Sequence, residues 1–387
     1  MRLNEREIAV VTLHPDVTWR ASKRGLVLAS PSSGTVLFEH PRSAALVDLL
    51  VDDPTPEELR RKLGPPLQDD LVEMLVRAEI LTEDHANGTA VRQPSSVHVT
   101  ASGITFPGIA MPARWLDSVA VPPLTSWTGR LTSAMLLAGG AVALVAGRPS
   151  LPAYSGQPAL EAGLMLLILL LMNVGHELAH ATALVHFGRK PTRAGFGFYW
   201  GALSFYVDST PALTLARRQR LIQALAGLGV DAVALAVCAI GAQLSPSPLL
   251  ASVLWRVAAL GLVGWLLNAA PILDVDGHWA LADWLDEPDL APRARRSCAV
   301  VLRGGRPEER WLAAYGACSL VAGVLMIAAA AYVFWTSTGP LVVALFKGTP
   351  VEIALGLYLV VPLALGLVAS SLGMLIDLAV APERTRL

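Results

Sequence analysis

Hydrophobic residues dominate the chain from about residue 127 to its end, whereas the first 84 residues mix short apolar runs with many polar and acidic positions. Six long apolar segments are separated by shorter polar stretches. A helix that crosses a bilayer needs about 20 predominantly apolar residues. The pattern therefore predicts about six transmembrane helices. Their approximate bounds are 127–147, 159–187, 221–243, 249–271, 311–336 and 351–380.

The polar N-terminal part, residues 1–84, has the pattern of a small soluble domain. Two short runs of strand-forming residues, 26–29 and 35–38, flank a turn that contains proline, serine and glycine. Helical patterns follow between 42 and 78, and one of them begins with a threonine cap, a proline and a glutamate in capping-box spacing. Two strands followed by three helices predict a winged-helix-like module with mixed α/β structure.

The next segment, residues 85–126, is rich in proline, serine and glycine and predicts a linker, with an interfacial piece around Trp115. The predicted division is thus a small winged-helix-like domain (1–84), a linker (85–126) and a membrane domain (127–387). The fold class expected is mainly α, a polytopic membrane protein with a small N-terminal α/β domain.

Composition and charge agree with this division. The chain of 387 residues is 53% hydrophobic and 16% charged, and soluble domains carry about 25% charged residues. Its net charge of −1 gives no bulk basic character, so no nucleic-acid partner is expected. Three cysteines form neither a disulfide framework nor a CxxC pair.

Lysine and arginine are unevenly distributed among the predicted loops. The loops after the second and fourth apolar segments and the C-terminal tail are rich in arginine, and the other loops are poor. The positive-inside rule then predicts a multi-pass protein of the cell membrane with both termini in the cytoplasm. Residues 194–209, short and aromatic, predict an interfacial or re-entrant hairpin. Arg256, near the outer end of its helix, is expected to extend to the membrane interface.

The second apolar segment contains the motif His176-Glu177-Leu178-Ala179-His180. Positions four apart share one face of a helix, so both imidazoles can bind one metal ion, and the spacing favours zinc. A charged side chain at the centre of a membrane helix costs about 2.5–3.5 kcal/mol, which argues that these residues have a function. Glu177, beside a ligand, is the candidate general base. A lone histidine on an apolar face is more often a core residue, but a matching motif downstream favours the metal.

The fourth apolar segment ends in that downstream motif, residues 268–278. A catalytic zinc takes three protein ligands and keeps one position open. Pro271 ends the helix, Asp276 is well placed as the third ligand, and Gly277 allows the backbone to turn beside the metal. Asp274 and His278 are rivals for the same position. Alternatively, both cap the helix end or contact cytoplasmic water.

The two motifs together resemble those of site-2 protease-type (M50) intramembrane zinc metalloproteases, and most of all the bacterial peptide zinc metalloprotease branch. Asn268, Pro271, Asp276 and Gly277 follow the pattern N-x-x-P-x-x-x-x-D-G of that family. The resemblance covers roughly residues 100–380. It implies a zinc endopeptidase with its active site towards the cytoplasmic side of the membrane.

The resemblance also implies the roles of individual residues: His176, His180 and Asp276 as zinc ligands and Glu177 as the base. One departure from the family concerns its motif A-G-P-x-x-N in the third core helix. Here leucine stands in place of the proline, and Asp231 in place of the asparagine. Asp231 is either a functional partner or a protonated, paired structural residue, and the sequence leaves both open.

Residues 15–84 resemble the PqqD-like peptide-recognition domains of ribosomally synthesised peptide pathways, which bind a leader peptide as an added strand. The alternative is a generic winged helix used for dimerisation or packing. The expected function is removal of the leader from a precursor peptide, with membrane lipid and peptide-modifying or export proteins as further partners. Two alternatives remain: a non-catalytic immunity or export accessory, which the altered segment 226–231 favours, and a site-2 protease that cleaves a regulator. The intact Glu177 favours an enzyme.

Overall fold

The computed structural model of this protein describes most of the membrane domain and several N-terminal strands. Described are residues 103–379 without 148, 150–153, 192, 200–201, 273–274, 288–289 and 308, together with 11–13, 18–22, 25–30, 34–38, 81–83 and 98–100. Within these residues the protein is mainly helical. The predicted fold class is confirmed to that extent.

Five short strands are described in the N-terminal segment. They are β1 (Val11–Leu13), β2 (Thr18–Ser22), β3 (Gly25–Ser30), β4 (Gly34–Phe38) and β5 (Leu81–Glu83). Strands β2, β3 and β4 form an antiparallel meander, and β1 pairs with β5. The two strands predicted here are present as β3 and β4. The helices predicted between 42 and 78 lie outside the described residues, so the winged-helix-like module remains a prediction.

A third sheet, with four antiparallel strands, joins distant parts of the chain. Its order is β6 (His98–Thr100), β7 (Gly103–Phe106), β8 (Ala194–Tyr199) and β9 (Ala202–Val207). Strands β8 and β9 form the hairpin predicted for 194–209. Strands β6 and β7 lie in the segment predicted as a linker, which is therefore partly structured. The pairing of β7 with β8 spans about 90 residues of chain, and local sequence patterns carry no signal for such contacts.

Ten helices account for most of the remaining described residues, and a 3₁₀ turn, Thr210–Thr214, follows β9. The helices are α1 (Ala110–Val119), α2 (Val121–Thr125), α3 (Trp127–Val145), α4 (Pro158–His186), α5 (Arg217–Leu244), α6 (Pro248–Ala269), α7 (Asp276–Leu285), α8 (Leu290–Leu302), α9 (Arg310–Phe346) and α10 (Pro350–Ala379). Five of them, α3, α4, α5, α6 and α9, are long and apolar enough to cross a membrane. Six were predicted; the sixth segment forms α10, in which a shorter apolar helix, Pro350–Gly366, is described.

Helix α5 lies among three of the other long apolar helices, α3, α4 and α6, and also contacts the short helix α7. Their shared core consists of small and aliphatic side chains, among them Met165 of α4, Ala239 of α5 and Val257 of α6, all fully buried. Helix α6 begins after Ser247, whose hydroxyl accepts a hydrogen bond from the Leu250 amide, and Pro248 occupies its first position. Helices α4, α5 and α6 therefore form a close-packed frame for the histidine motif.

Helix α1 contains the interfacial piece predicted around Trp115. Its small residue Ala113 is buried in a cluster with Ala181 of α4, whereas Met111, Trp115 and Val119 form an exposed apolar stripe at helical spacing. An aromatic and aliphatic stripe of this kind is typical of a helix that lies at the membrane surface.

Arg256 does not extend to the membrane interface, as its position in the sequence suggested; it is 1% exposed. Its guanidinium donates to Glu161, which is fully buried on α4, and to the hydroxyl of Ser252. The Ser252 hydroxyl also donates to Glu161 at 2.5 Å. Charged groups inside a membrane domain are stable when they pair with each other. The pair thus fixes α4 to α6 at the end of α4 remote from the histidine motif.

Candidate metal centre

Three side chains from two distant parts of the sequence converge at the end of the core that contains the histidine motif. His176 and His180 lie one helical turn apart on α4, and their Nε2 atoms are 3.1 Å apart. Asp276, the first residue of α7, places its Oδ2 atom 3.0 Å from Nε2 of His176 and 3.3 Å from Nε2 of His180. Within the described part of the chain, these three residues form the group that could bind a metal ion.

The distances within this triad fit a tetrahedral ion. Zinc binds nitrogen and carboxylate oxygen at about 2.0–2.2 Å, so two of its tetrahedral ligands lie about 3.3 Å apart. The three observed distances of 3.0, 3.1 and 3.3 Å are close to this value. Two imidazoles and one carboxylate are also a donor set that catalytic zinc sites use. The residues present therefore fit the predicted metal.

Both imidazoles are oriented by hydrogen bonds at their other ring nitrogen. Nδ1 of His180 lies 2.7 Å from the main-chain oxygen of Gln223, which can only accept, so this nitrogen carries the proton. Nδ1 of His176 lies 2.7 Å from Oδ2 of Asp231. In the neutral rings, both Nε2 lone pairs then face each other and the carboxylate of Asp276. Three acceptors that converge in this way are stabilised by a cation.

Helix α5 supplies a space for the two imidazoles and a partner for one of them. A Cβ atom on Gly227 would lie 2.5 Å from Nε2 of His176 and 2.6 Å from Nε2 of His180, so only glycine allows the helix to approach this closely. Asp231 lies one turn further along the same face of α5 and reaches His176. Asp231 therefore places a carboxylate next to a predicted metal ligand.

Asn268, at the end of α6, fixes the position of Asp276. Its Nδ2 atom donates to Oδ2 of Asp276 at 2.8 Å, and its Oδ1 atom accepts from the Asp276 amide at 3.2 Å. A Cβ atom on Gly277 would collide with the carbonyl group of Ala269, so glycine is needed here for the close approach of α7 to α6 rather than for a turn.

Glu177 lies beside the triad and is attached to the four-stranded sheet. Its Oε2 atom accepts a hydrogen bond of 2.9 Å from the main-chain amide of Val207 in β9. Asn173, one turn earlier on α4, accepts in the same way from the amide of Phe205 at 2.7 Å. Strand β9 therefore runs along the side of α4 that carries the proposed base.

Asp274 and His278 are the two other candidates for the third metal ligand. His278 is buried, and its Nδ1 atom lies 3.1 Å from the hydroxyl of Tyr315 in α9, outside the triad. Asp274 lies outside the described residues. Of the residues whose positions are described, Asp276 is thus the better candidate for the third ligand.

A cavity of about 630 Å³ opens onto the triad between α4, α5, α6 and the sheet. Its polar end is formed by His176, Glu177, Asp231, Asn268 and Asp276, and its other end by apolar residues of α4 and α6. The arrangement gives an open pocket in which a substrate could reach both the predicted metal and the proposed base.

Sequence analysis did not identify Gln223 and Asn173 as members of the site. Both residues can be inferred from the helical period once another site residue on the same helix is known. Gln223, Gly227 and Asp231 are spaced four residues apart on α5, and Asn173 precedes His176 and Glu177 by three and four positions. A search for polar or glycine residues at these spacings would have found them.

Asp231 is expected to increase zinc affinity through His176. Asp231→Ala should weaken zinc binding about 10- to 100-fold, the range found for partners that orient metal-binding histidines. Asp231→Asn should have a smaller effect because its amide oxygen still accepts from Nδ1. Competition with a chelator of known affinity measures the change. Asp117→Ala is a matched control, because Asp117 forms the same contact with His186 at 2.9 Å away from the triad. Unchanged affinity in Asp231→Ala would show that this aspartate has only a structural role.

Comparisons of the chain with protein-family models, curated proteins and solved structures found no match. The function is therefore inferred from the site itself.

Proposed function

We propose that this chain is a membrane-embedded zinc endopeptidase of the site-2 protease type. The observation that supports this most strongly is the convergence of His176, His180 and Asp276 with a carboxylate, Glu177, beside them in a cavity. A purely structural zinc site fills all four positions with protein ligands and needs no such carboxylate. The triad provides three ligands and leaves room for a reacting molecule.

In this proposal His176, His180 and Asp276 hold zinc. The ion, when bound, lowers the pKa of a water molecule towards about 7 and polarises a carbonyl group. Asp231 and the main-chain oxygen of Gln223 keep both imidazoles in the tautomer that can bind it. Asn268 holds Asp276 in place through two hydrogen bonds.

Glu177 acts as general base and then as general acid. Its carboxylate takes a proton from the attacking water and transfers it to the nitrogen of the leaving amine. The hydrogen bond from the Val207 amide fixes one carboxylate oxygen, which orients the group towards the cavity. The surrounding apolar helices limit the access of bulk water and strengthen the electrostatic interactions in the site.

Strand β9 is suited to hold the substrate in an extended form. The amides of Leu203, Phe205 and Val207, at alternate positions, donate to side chains of α10 and α4. An extended peptide added along this edge could replace Tyr358 as the acceptor at Leu203, as peptides do at sheet edges, while the Val207 amide continues to hold Glu177. Cleavage needs an extended backbone because a helix conceals its amide groups.

The substrate that we propose is a precursor peptide that carries a leader. The β2–β3–β4 meander lies against the turn Thr210–Thr214, which follows β9. A leader bound to the N-terminal segment would then lie near the chain that borders the site, and its local concentration there would be raised. Both termini and the site lie on the cytoplasmic side in this proposal, in agreement with the arginine-rich loops.

A non-catalytic accessory is the second candidate function. The departure of segment 226–231 from the family motif favours it. However, Gly227 accommodates both imidazoles, and Asp231 lies at hydrogen-bond distance from His176, so the altered residues are compatible with a functional site. We therefore prefer the protease.

Cleavage of a precursor peptide by the purified chain in proteoliposomes tests the proposal. A precursor encoded next to the gene is expected to be cut at one position, and its core peptide without leader at least about tenfold more slowly, since docking raises the local concentration. A zinc chelator should stop the reaction, and added zinc should restore it. Absence of cleavage by a fully zinc-loaded chain would favour the accessory, and selective cleavage of a membrane-spanning regulator segment would favour a regulator-cleaving protease.

A further inference from the structure

The cavity at the triad continues into an apolar pocket that the proposed chemistry does not use. On α4 it is lined by Leu169 and Met172, which precede His176 by seven and four residues. On α6, Gly261 and Gly264 line it and precede Asn268 by the same two intervals. At 1.5 Å per residue the pocket extends about 6 to 10 Å from the level of the triad towards the middle of the helices.

The chemistry of this pocket is suited to an apolar side chain. Trp265 also lines it, and its ring N–H is already bonded to the main-chain oxygen of Leu228 at 2.9 Å. The indole therefore presents only its carbon surface to a ligand. Polar groups that could bind a headgroup or a sugar lie at the triad end of the cavity, among them Asn173 and Ser204.

Gly264 determines how much space the pocket has. A Cβ atom built on this residue meets no other atom within 4 Å, and the residue lines the cavity, so a larger side chain here would occupy the pocket. Gly261 differs, because its Cβ atom would contact the side chain of Leu235. Leu, Met or Phe of a substrate could thus enter alongside Gly264.

We propose that this pocket is a specificity subsite that accepts one bulky apolar residue of the substrate peptide next to the scissile bond, and that Gly264 sets its size. The inference rests on the proposed peptidase function. A peptide extended along β9 directs alternate side chains to opposite faces, and the pocket is continuous with the cavity beside that strand. Burial of one such side chain favours Leu, Met or Phe over Ala or Gly by about tenfold to a hundredfold.

Cleavage of a random peptide library by the purified full chain, read by mass spectrometry, tests the subsite. Wild-type sites should share Leu, Met or Phe at one fixed position, and Gly264→Leu should shift that position to Ala or Gly by about tenfold or more. Gly229→Leu is the matched control: Gly229 is exposed on α5, a Cβ there also meets no atom within 4 Å, and it does not line the cavity. Cleavage without any preferred residue, or an unchanged preference in Gly264→Leu, would overturn the subsite and leave the peptidase function intact.

A second measurement is independent of catalysis. Peptides that carry a photoactivatable leucine analogue at successive positions are crosslinked to the Glu177→Gln variant. We expect crosslinks from one position to Leu169, Met172 or Trp265, and a loss of at least tenfold in the double variant with Gly264→Leu. If the wild type cleaves nothing but these crosslinks form, the pocket binds apolar side chains and the peptidase function is wrong. Crosslinks that map only to exposed residues away from the cavity, such as Gly229, would exclude the subsite.

Discussion

Glu177→Gln is expected to reduce peptide cleavage by about 10²- to 10⁴-fold while fold and zinc content are retained. Glutamine has the same size, and its amide oxygen can still accept the hydrogen bond from Val207 that holds the side chain. It cannot take a proton from water, so the transfer to the leaving amine is lost. The measurements are kcat/KM on the precursor peptide, zinc per chain, and the helix content by circular dichroism.

Glu352→Gln provides the control for this substitution. Glu352 lies on the first turn of α10 and accepts hydrogen bonds from Thr349, so the same chemical change is made away from the cavity. Its activity should equal that of the wild type. Undiminished cleavage by Glu177→Gln would exclude Glu177 as the base even if zinc is bound as proposed.

The parts of the site that a sequence pattern can predict are those within one helix. His176, Glu177 and His180 share a face because of the helical period, and α4 brings them together as expected. Pro271 lies two residues after the last residue of α6, as expected for a residue that cannot continue a helix. Asp276 was predicted from a motif rather than from any spacing to the histidines, and its distance of 3.0 Å from His176 depends on the packing of three helices.

The contacts that sequence analysis missed join residues far apart in the chain. Arg256 and Glu161 are separated by 95 residues, so the sequence near Arg256 did not indicate its partner. Asp231 lies 55 residues from His176, so its role remained open until the helices were placed together. The sheet that borders the cavity is also a long-range contact, because β7 and β8 pair across the four helices α1 to α4. Pairings of this kind depend on tertiary packing and leave no local pattern.

His176→Ala is expected to cause the largest loss of zinc, from one ion per chain to almost none at micromolar metal. The imidazole supplies one of three protein ligands, and its removal leaves two, which zinc sites in proteins rarely tolerate. Asp276→Ala should have a similar effect. Metal analysis of the purified variants, with titration against a chelator, measures the loss. Peptide cleavage should fall together with zinc occupancy.

Two histidines outside the triad provide control variants for this prediction. His186 lies on the same helix, ten residues after His176, and is paired with Asp117, while His278 lies two residues after Asp276 and faces Tyr315. His186→Ala and His278→Ala should each retain one zinc per chain, because neither ring nitrogen belongs to the converging group. An equal zinc content per chain in His176→Ala and the wild type would exclude the metal centre as assigned. Zinc retained in Asp276→Ala but lost in His278→Ala would instead make His278 the third ligand, and α7 would have to turn its third residue towards the two imidazoles.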